Sequence, residues 1–151
     1  MKKLAFVIVV LSMFISCKKA ETTGKYFAFG SAYNFSIGDH ATFYLLKNCN
    51  LYPDNMERYT NQKMNFKDDK LSKDKYKLAK KLQDEIPNFL KERPSEYFGC
   101  PDCADQGGYH IEIGDNKSVR TFHIDTDVSK QPTEIREFVA SLKSVLEELE
   151  K

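Results

Sequence analysis

The chain has 151 residues, with 23 Lys and Arg against 22 Asp and Glu, a formal charge of +1 and no tryptophan. That balance argues against a nucleic-acid binder, which gathers excess Lys and Arg on one face. The densest basic run, residues 70–81, contains Asp74, is followed by Asp84 and reads as a solvated helix face. The length suits one domain with a proper core and not two comfortable ones.

Residues 1–17 read MKKLAFVIVVLSMFISC. Lys2 and Lys3 make a positive start, residues 4–15 are unbroken and apolar, and Ser16 is a small residue directly before a cysteine, the anatomy of an export signal. As a helix this apolar stretch rises only about 18 Å, short of the roughly 30 Å hydrocarbon core, so a bare membrane-spanning anchor fits poorly. The segment resembles a bacterial lipoprotein signal. The resemblance implies loss of residues 1–16, a diacylglyceryl group on the Cys17 sulfur and a further acyl chain, such as palmitate, on its new amino group. It also implies a cell-envelope address, with Lys18 suiting outer-membrane delivery and the periplasmic or surface orientation left open. At about 0.8 kcal/mol per buried methylene, two or three acyl chains would hold the protein on the membrane essentially permanently. Residues 17–24 then form the lipidated cysteine and a tether, and residues 25–151 a single α+β domain.

Along the domain, Tyr33, Phe35 and Ile37 alternate with Asn34 and Ser36, Gly38-Asp39 supplies turn chemistry next to His40, and residues 42–46 resume a β-prone run. This predicts a hairpin. Residues 47–71 read as a polar insertion, a surface loop in preference to a recognition loop. Residues 72–90 carry Tyr76, Ala79, Leu82, Ile86 and Leu90 at helical spacing, with Ser72 as N-cap and Pro87 as a kink or restart. A second hairpin follows: Tyr109, Ile111 and Ile113 alternate with His110 and Glu112, residues 114–116 turn, and residues 120–124 return. Pro132 then opens a helix with Ile135, Phe138, Val139, Leu142, Val145, Leu146 and Leu149 as its apolar stripe. The expected fold is α+β: two ββα units forming a four-stranded antiparallel sheet with two helices on one face and the other face open.

The residues that could carry chemistry gather around Cys100-Pro101-Asp102-Cys103. A thioredoxin-type motif opens a long helix, whereas here Gly107-Gly108 and a strand follow, so a structural disulfide fits better. With Cys17 lipidated, Cys49, Cys100 and Cys103 remain, which allows one bridge, either within the motif or from one of its cysteines to Cys49. If Tyr109, Ile111 and Ile113 share a face with Phe122 and Ile124, paired positions sum to 233, which sets His110 opposite His123 and Glu112 opposite Thr121. Cys100, Cys103, His110 and His123 would then make a candidate zinc set of two soft and two borderline ligands. Asp102, Asp105, Asp125 and Asp127 lack calcium-loop spacing. No paired nucleophile and base, and no phosphate loop, can be argued. The expected function is a lipid-anchored, non-enzymatic binding or accessory module that meets an envelope protein or glycan through the open sheet face, including Asn34, Ser36, His110 and Glu112, and through the 47–71 insertion. The alternative is a thiol-disulfide or zinc protein centred on Cys100 and Cys103.

Overall fold

A computed structural model describes residues 22–33, 41–55, 64–101, 103 and 106–151 of the chain. The fold is α+β, but the expected four-stranded antiparallel sheet is replaced by a mixed sheet of six strands in the order β3-β2-β1-β5-β6-β4. Strands β1 (Tyr26–Ala32), β2 (Ala41–Lys47) and β3 (Asn50–Pro53) lead into helices α1 (Lys73–Asp84) and α2 (Asn88–Glu92). Strands β4 (Glu96–Phe98), β5 (Gly108–Gly114) and β6 (Val119–Asp125) then lead through a short 3-10 turn into α3 (Thr133–Leu149). Two hairpins are still present, β1-β2 and β5-β6, and they join antiparallel through β1 and β5. The additions are the edge strands: β3, antiparallel to β2, and β4, parallel to β6.

The first strand also begins earlier than its expected position at Tyr33. Residues 34–40, which carry most of that expected alternation, lie outside the described residues. In the centre of the sheet β1 is buried on both faces, so it reads Tyr-Phe-Ala-Phe as a continuous apolar run without alternation. Phe27 and Phe29 face the helices with Tyr44, Leu46, Ile111, Phe122 and Ile124. Against them pack Leu82 of α1, Leu90 of α2 and the Ile135, Phe138, Val139 and Leu142 stripe of α3. Among the described residues three helices therefore cover this face, because Pro87 divides the expected first helix in two. Ser72 caps α1 as its sequence predicts, its hydroxyl accepting from the Lys75 N–H at 3.3 Å. Lys75 Nζ in turn donates to the Leu149 carbonyl at 2.7 Å, tying α1 to the end of α3.

The opposite face is not open throughout. Over β1 and β2, Met64 and Phe66 from the insertion pack on Ala28, Phe43 and Leu45. Asp54 fixes that segment: its N–H donates to the Phe43 carbonyl at 2.9 Å, and its carboxylate accepts from the Phe43 N–H at 2.6 Å. Among the described residues no helix is long and apolar enough to cross a membrane.

The β2-β3 turn explains why β3 was hidden in the sequence. Lys47 pairs with Asn50, so the turn consists of Asn48 and Cys49, both with positive φ (50° and 58°). That is the two-residue turn that normally selects glycine second. Cys49 bears the steric cost of the left-handed conformation. Cys49→Gly is therefore expected to raise unfolding free energy by about 0.5–1 kcal/mol, and Cys49→Val to lower it by a similar amount, read from urea midpoints at constant m.

Candidate functional site

The described residues bring together one constellation of polar and aromatic side chains, on the sheet face away from the helices. It is a row set by strand register. Tyr97 of β4 pairs with His123 of β6, His123 with His110 of β5, His110 with Gly30 of β1, and Gly30 with Phe43 of β2. The rings touch in sequence. Tyr97 lies flat on His123 (centroids 4.4 Å, planes 12° apart), His123 meets His110 edge to face at 4.7 Å, and His110 meets Phe43 edge to face at 5.5 Å. Contact between His110 and Phe43 skips a strand, which is possible because Gly30 stands between them without a side chain. A Cβ there would lie 2.5 Å from Phe43 Cδ1 and 2.8 Å from its Cα, and would also strike the Thr42 carbonyl.

A hydrogen-bonded chain runs beside the rings. The Tyr26 hydroxyl donates to Glu112 Oε2 at 2.9 Å, His110 Nε2 lies 3.3 Å from Glu112 Oε1, and His110 Nδ1 lies 3.4 Å from His123 Nδ1. A carboxylate only accepts, so His110 donates its Nε2–H to Glu112. His110 Nδ1 is then the acceptor, His123 donates from Nδ1, and the lone pair of His123 is left on Nε2. Burial first, and then the neighbouring His110, push the His123 pKa down to about 4 against a smaller upward pull from Glu112. His123 is thus neutral at pH 7. Burial, followed by the charge and the hydrogen bond of Glu112, holds the Tyr26 phenol well above its ordinary range, so it remains a donor.

The register places His110 opposite His123 and Glu112 opposite Thr121, as the second hairpin's alternation predicts. His110 is only 3% exposed, however, so it serves the expected binding face from beneath and not as a contact. Asn34 and Ser36, the rest of that face, lie outside the described residues, as do Cys17, His40, Asp102 and Asp105. Tyr97, 68% exposed, is the surface member of the row. Sequence reasoning missed it, although its isolation between Glu96 and Phe98 beside a proline-bounded turn gave little to find.

Comparison with known protein families and with curated proteins finds no match. The site must therefore be read from its own chemistry.

Two of the cysteines form a separate element at one end of this face. Cys100 and Cys103 are joined in a disulfide (Cα atoms 5.5 Å apart) within a turn between β4 and β5. The sulfurs are bonded to each other, so they have no thiolates to offer the expected zinc set with His110 and His123. Among the described residues no group of three or more His, Cys, Asp or Glu is placed to hold a metal ion. Cys49 is an exposed free thiol at the opposite end of the sheet. The length of β5, about 20 Å, separates the two ends, which excludes a Cys49 bridge in this fold.

Asp125 anchors the disulfide turn. Its side chain is 1% exposed and accepts from the Cys100 N–H at 3.0 Å and the Asp127 N–H at 2.9 Å. Burial raises its pKa, but those two N–H groups and the Lys130 ammonium outweigh that and leave it below the usual carboxylate range. Gly99, with φ at 72°, passes so close to Asp125 that a Cβ on it would lie 2.7 Å from Asp125 Cβ, a path closed to any side chain. Asp127 accepts from the Ser129 N–H at 3.0 Å. Both carboxylates are thereby engaged in holding loops.

Proposed function

We propose that this chain is a lipid-anchored, non-enzymatic binding module of the bacterial cell envelope, tethered through Cys17 to the outer membrane and meeting a protein or glycan partner through the Tyr97 platform. The observation that carries this reading is the flat stack of the most exposed aromatic ring in the described protein on a neutral, half-buried imidazole. A tyrosine held rigid by a ring row on one side and turned to solvent on the other offers a large contact area at low entropic cost. His123 Nε2, as a neutral acceptor, can add orientation. Catalysis finds less support, because His123 as a base of pKa about 4 is weak at neutral pH.

Tyr97→Ala is expected to weaken retention of the protein on purified cell-wall glycan or envelope protein fractions by at least about tenfold without lowering its melting temperature. Equal retention by Tyr97→Ala and by His123→Ala on every fraction would remove the proposal. The alternative of a thiol or zinc centre at Cys100 and Cys103 predicts instead that Cys100→Ser abolishes a redox turnover or a bound zinc.

A further inference from the structure

At the opposite end of the domain, and on the helix side of the sheet, is a second feature. Where β1 and β6 begin and β2 and β5 end, the sheet and helices α1 and α2 leave a cavity of about 430 Å³, within the range of small-ligand sites. Its floor is apolar. Leu46 and Ile86 are 4% and 5% exposed core residues, and Ile113 and Tyr76 pack beside them. Its mouth is cationic: Lys25, Lys47, Lys80, Lys91 and Arg120 line it, with Asp115 as the one carboxylate among the described lining residues.

That segregation stands out in a chain whose overall net charge is only +1. The lone carboxylate is already committed, since Asp115 Oδ1 accepts from the Lys117 and Ser118 N–H groups at 2.7 and 2.8 Å. Lys80 is ion-paired with Asp84, and Lys47 donates to Thr23 Oγ1 at 3.3 Å. Lys25 and Lys91 make no ion pair among the described residues. An inorganic anion would have no use for the apolar floor, and a neutral hydrocarbon none for the cations. We propose that this cavity binds a small amphiphile, an apolar chain carrying a single carboxylate or phosphate head, with the chain on the Leu46, Ile86 and Ile113 floor and the head among the lysines. The proposal is independent of the Tyr97 face.

Cys49 lines the same cavity and is an exposed free thiol, so its alkylation reports occupancy. On the full chain at neutral pH, the maleimide reaction at Cys49 is followed by peptide mass while laurate or dodecyl phosphate is titrated. At least one of the two is expected to protect Cys49, and the more potent identifies the preferred head. Dodecanol and inorganic phosphate are expected to need at least about tenfold higher concentration for the same protection. Lys25→Glu with Lys91→Glu should raise the half-protecting concentration at least about tenfold with an unchanged melting temperature. Gln83→Trp, which fills the mouth without altering charge, should also abolish protection. Protection by dodecanol as strong as by laurate, by phosphate alone, only by phosphatidylglycerol vesicles, or by none of these probes would overturn the proposal. So would unchanged protection in the double charge variant.

Discussion

Gly30→Ala is expected to destabilise the protein by about 3 kcal/mol, at the upper end for overpacking a well-filled interior. The new methyl would meet backbone as well as side chain, the Thr42 carbonyl and Phe43 Cα together with the Phe43 ring, so no rotamer change alone relieves it. The two strands must separate or Phe43 must leave His110. Because Phe43 is fully buried and touches His110, its departure would also loosen the ring row. Chemical denaturation measures the loss, and a double-mutant cycle with Phe43→Ala tests its cause. The pair should cost at least about 1 kcal/mol less than the sum of the singles. Additive costs would mean that the Phe43 ring is not what the methyl displaces.

Stability is expected to fall by at most about 3 kcal/mol as pH drops from 6.5 to 4, and His123 is the group responsible. In the unfolded chain its imidazole binds a proton near pH 6.5, and in the fold near pH 4. Between those values the unfolded state holds more protons, so the contribution is complete above pH 6.5 and is lost toward pH 4. Asp125 acts lower on the scale. With its folded pKa depressed, its contribution is present above the ordinary carboxylate range and disappears below it. Urea unfolding at pH 7 and pH 5 would separate the two. His123→Phe keeps a ring between Tyr97 and His110, and it should flatten the slope between these pH values while leaving the decline below pH 4. A slope that survives in His123→Phe would assign the effect to another residue.

What could be read in the sequence depended on how many neighbours each element has. The β5-β6 hairpin was legible down to residue pairing, because one turn fixes its register and one face alternates. The same holds for α3, whose stripe faces a single surface, and for the Ser72 cap. β1 was misplaced because burial on both faces erases alternation. β3 was hidden by a turn with cysteine where glycine is usual, and β4, with three residues, is too short to show a period. The site divides in the same way. His110 and His123 belong to one hairpin and were paired correctly, whereas Phe43, Gly30 and Tyr97 join them from strands whose register against β5 and β6 is set only by the assembled sheet.

The position of β1 also sets an order of events. Of the described strands, the first to emerge is the one that ends in the middle, with Tyr26 opposite Gly114. A chain delivered amino terminus first can close β1 on β2 locally, through pairings such as Phe27 with Leu46, but the other edge of β1 must wait until β5 arrives. Loop closure over that span is paid in entropy before the contact returns anything, which slows folding and leaves a strand containing Tyr-Phe-Ala-Phe unpaired along one side. During that interval the chain is most exposed to association with its own copies. Folding yield, more than the stability of the finished sheet, is therefore the property most sensitive to how quickly residues up to 114 become available.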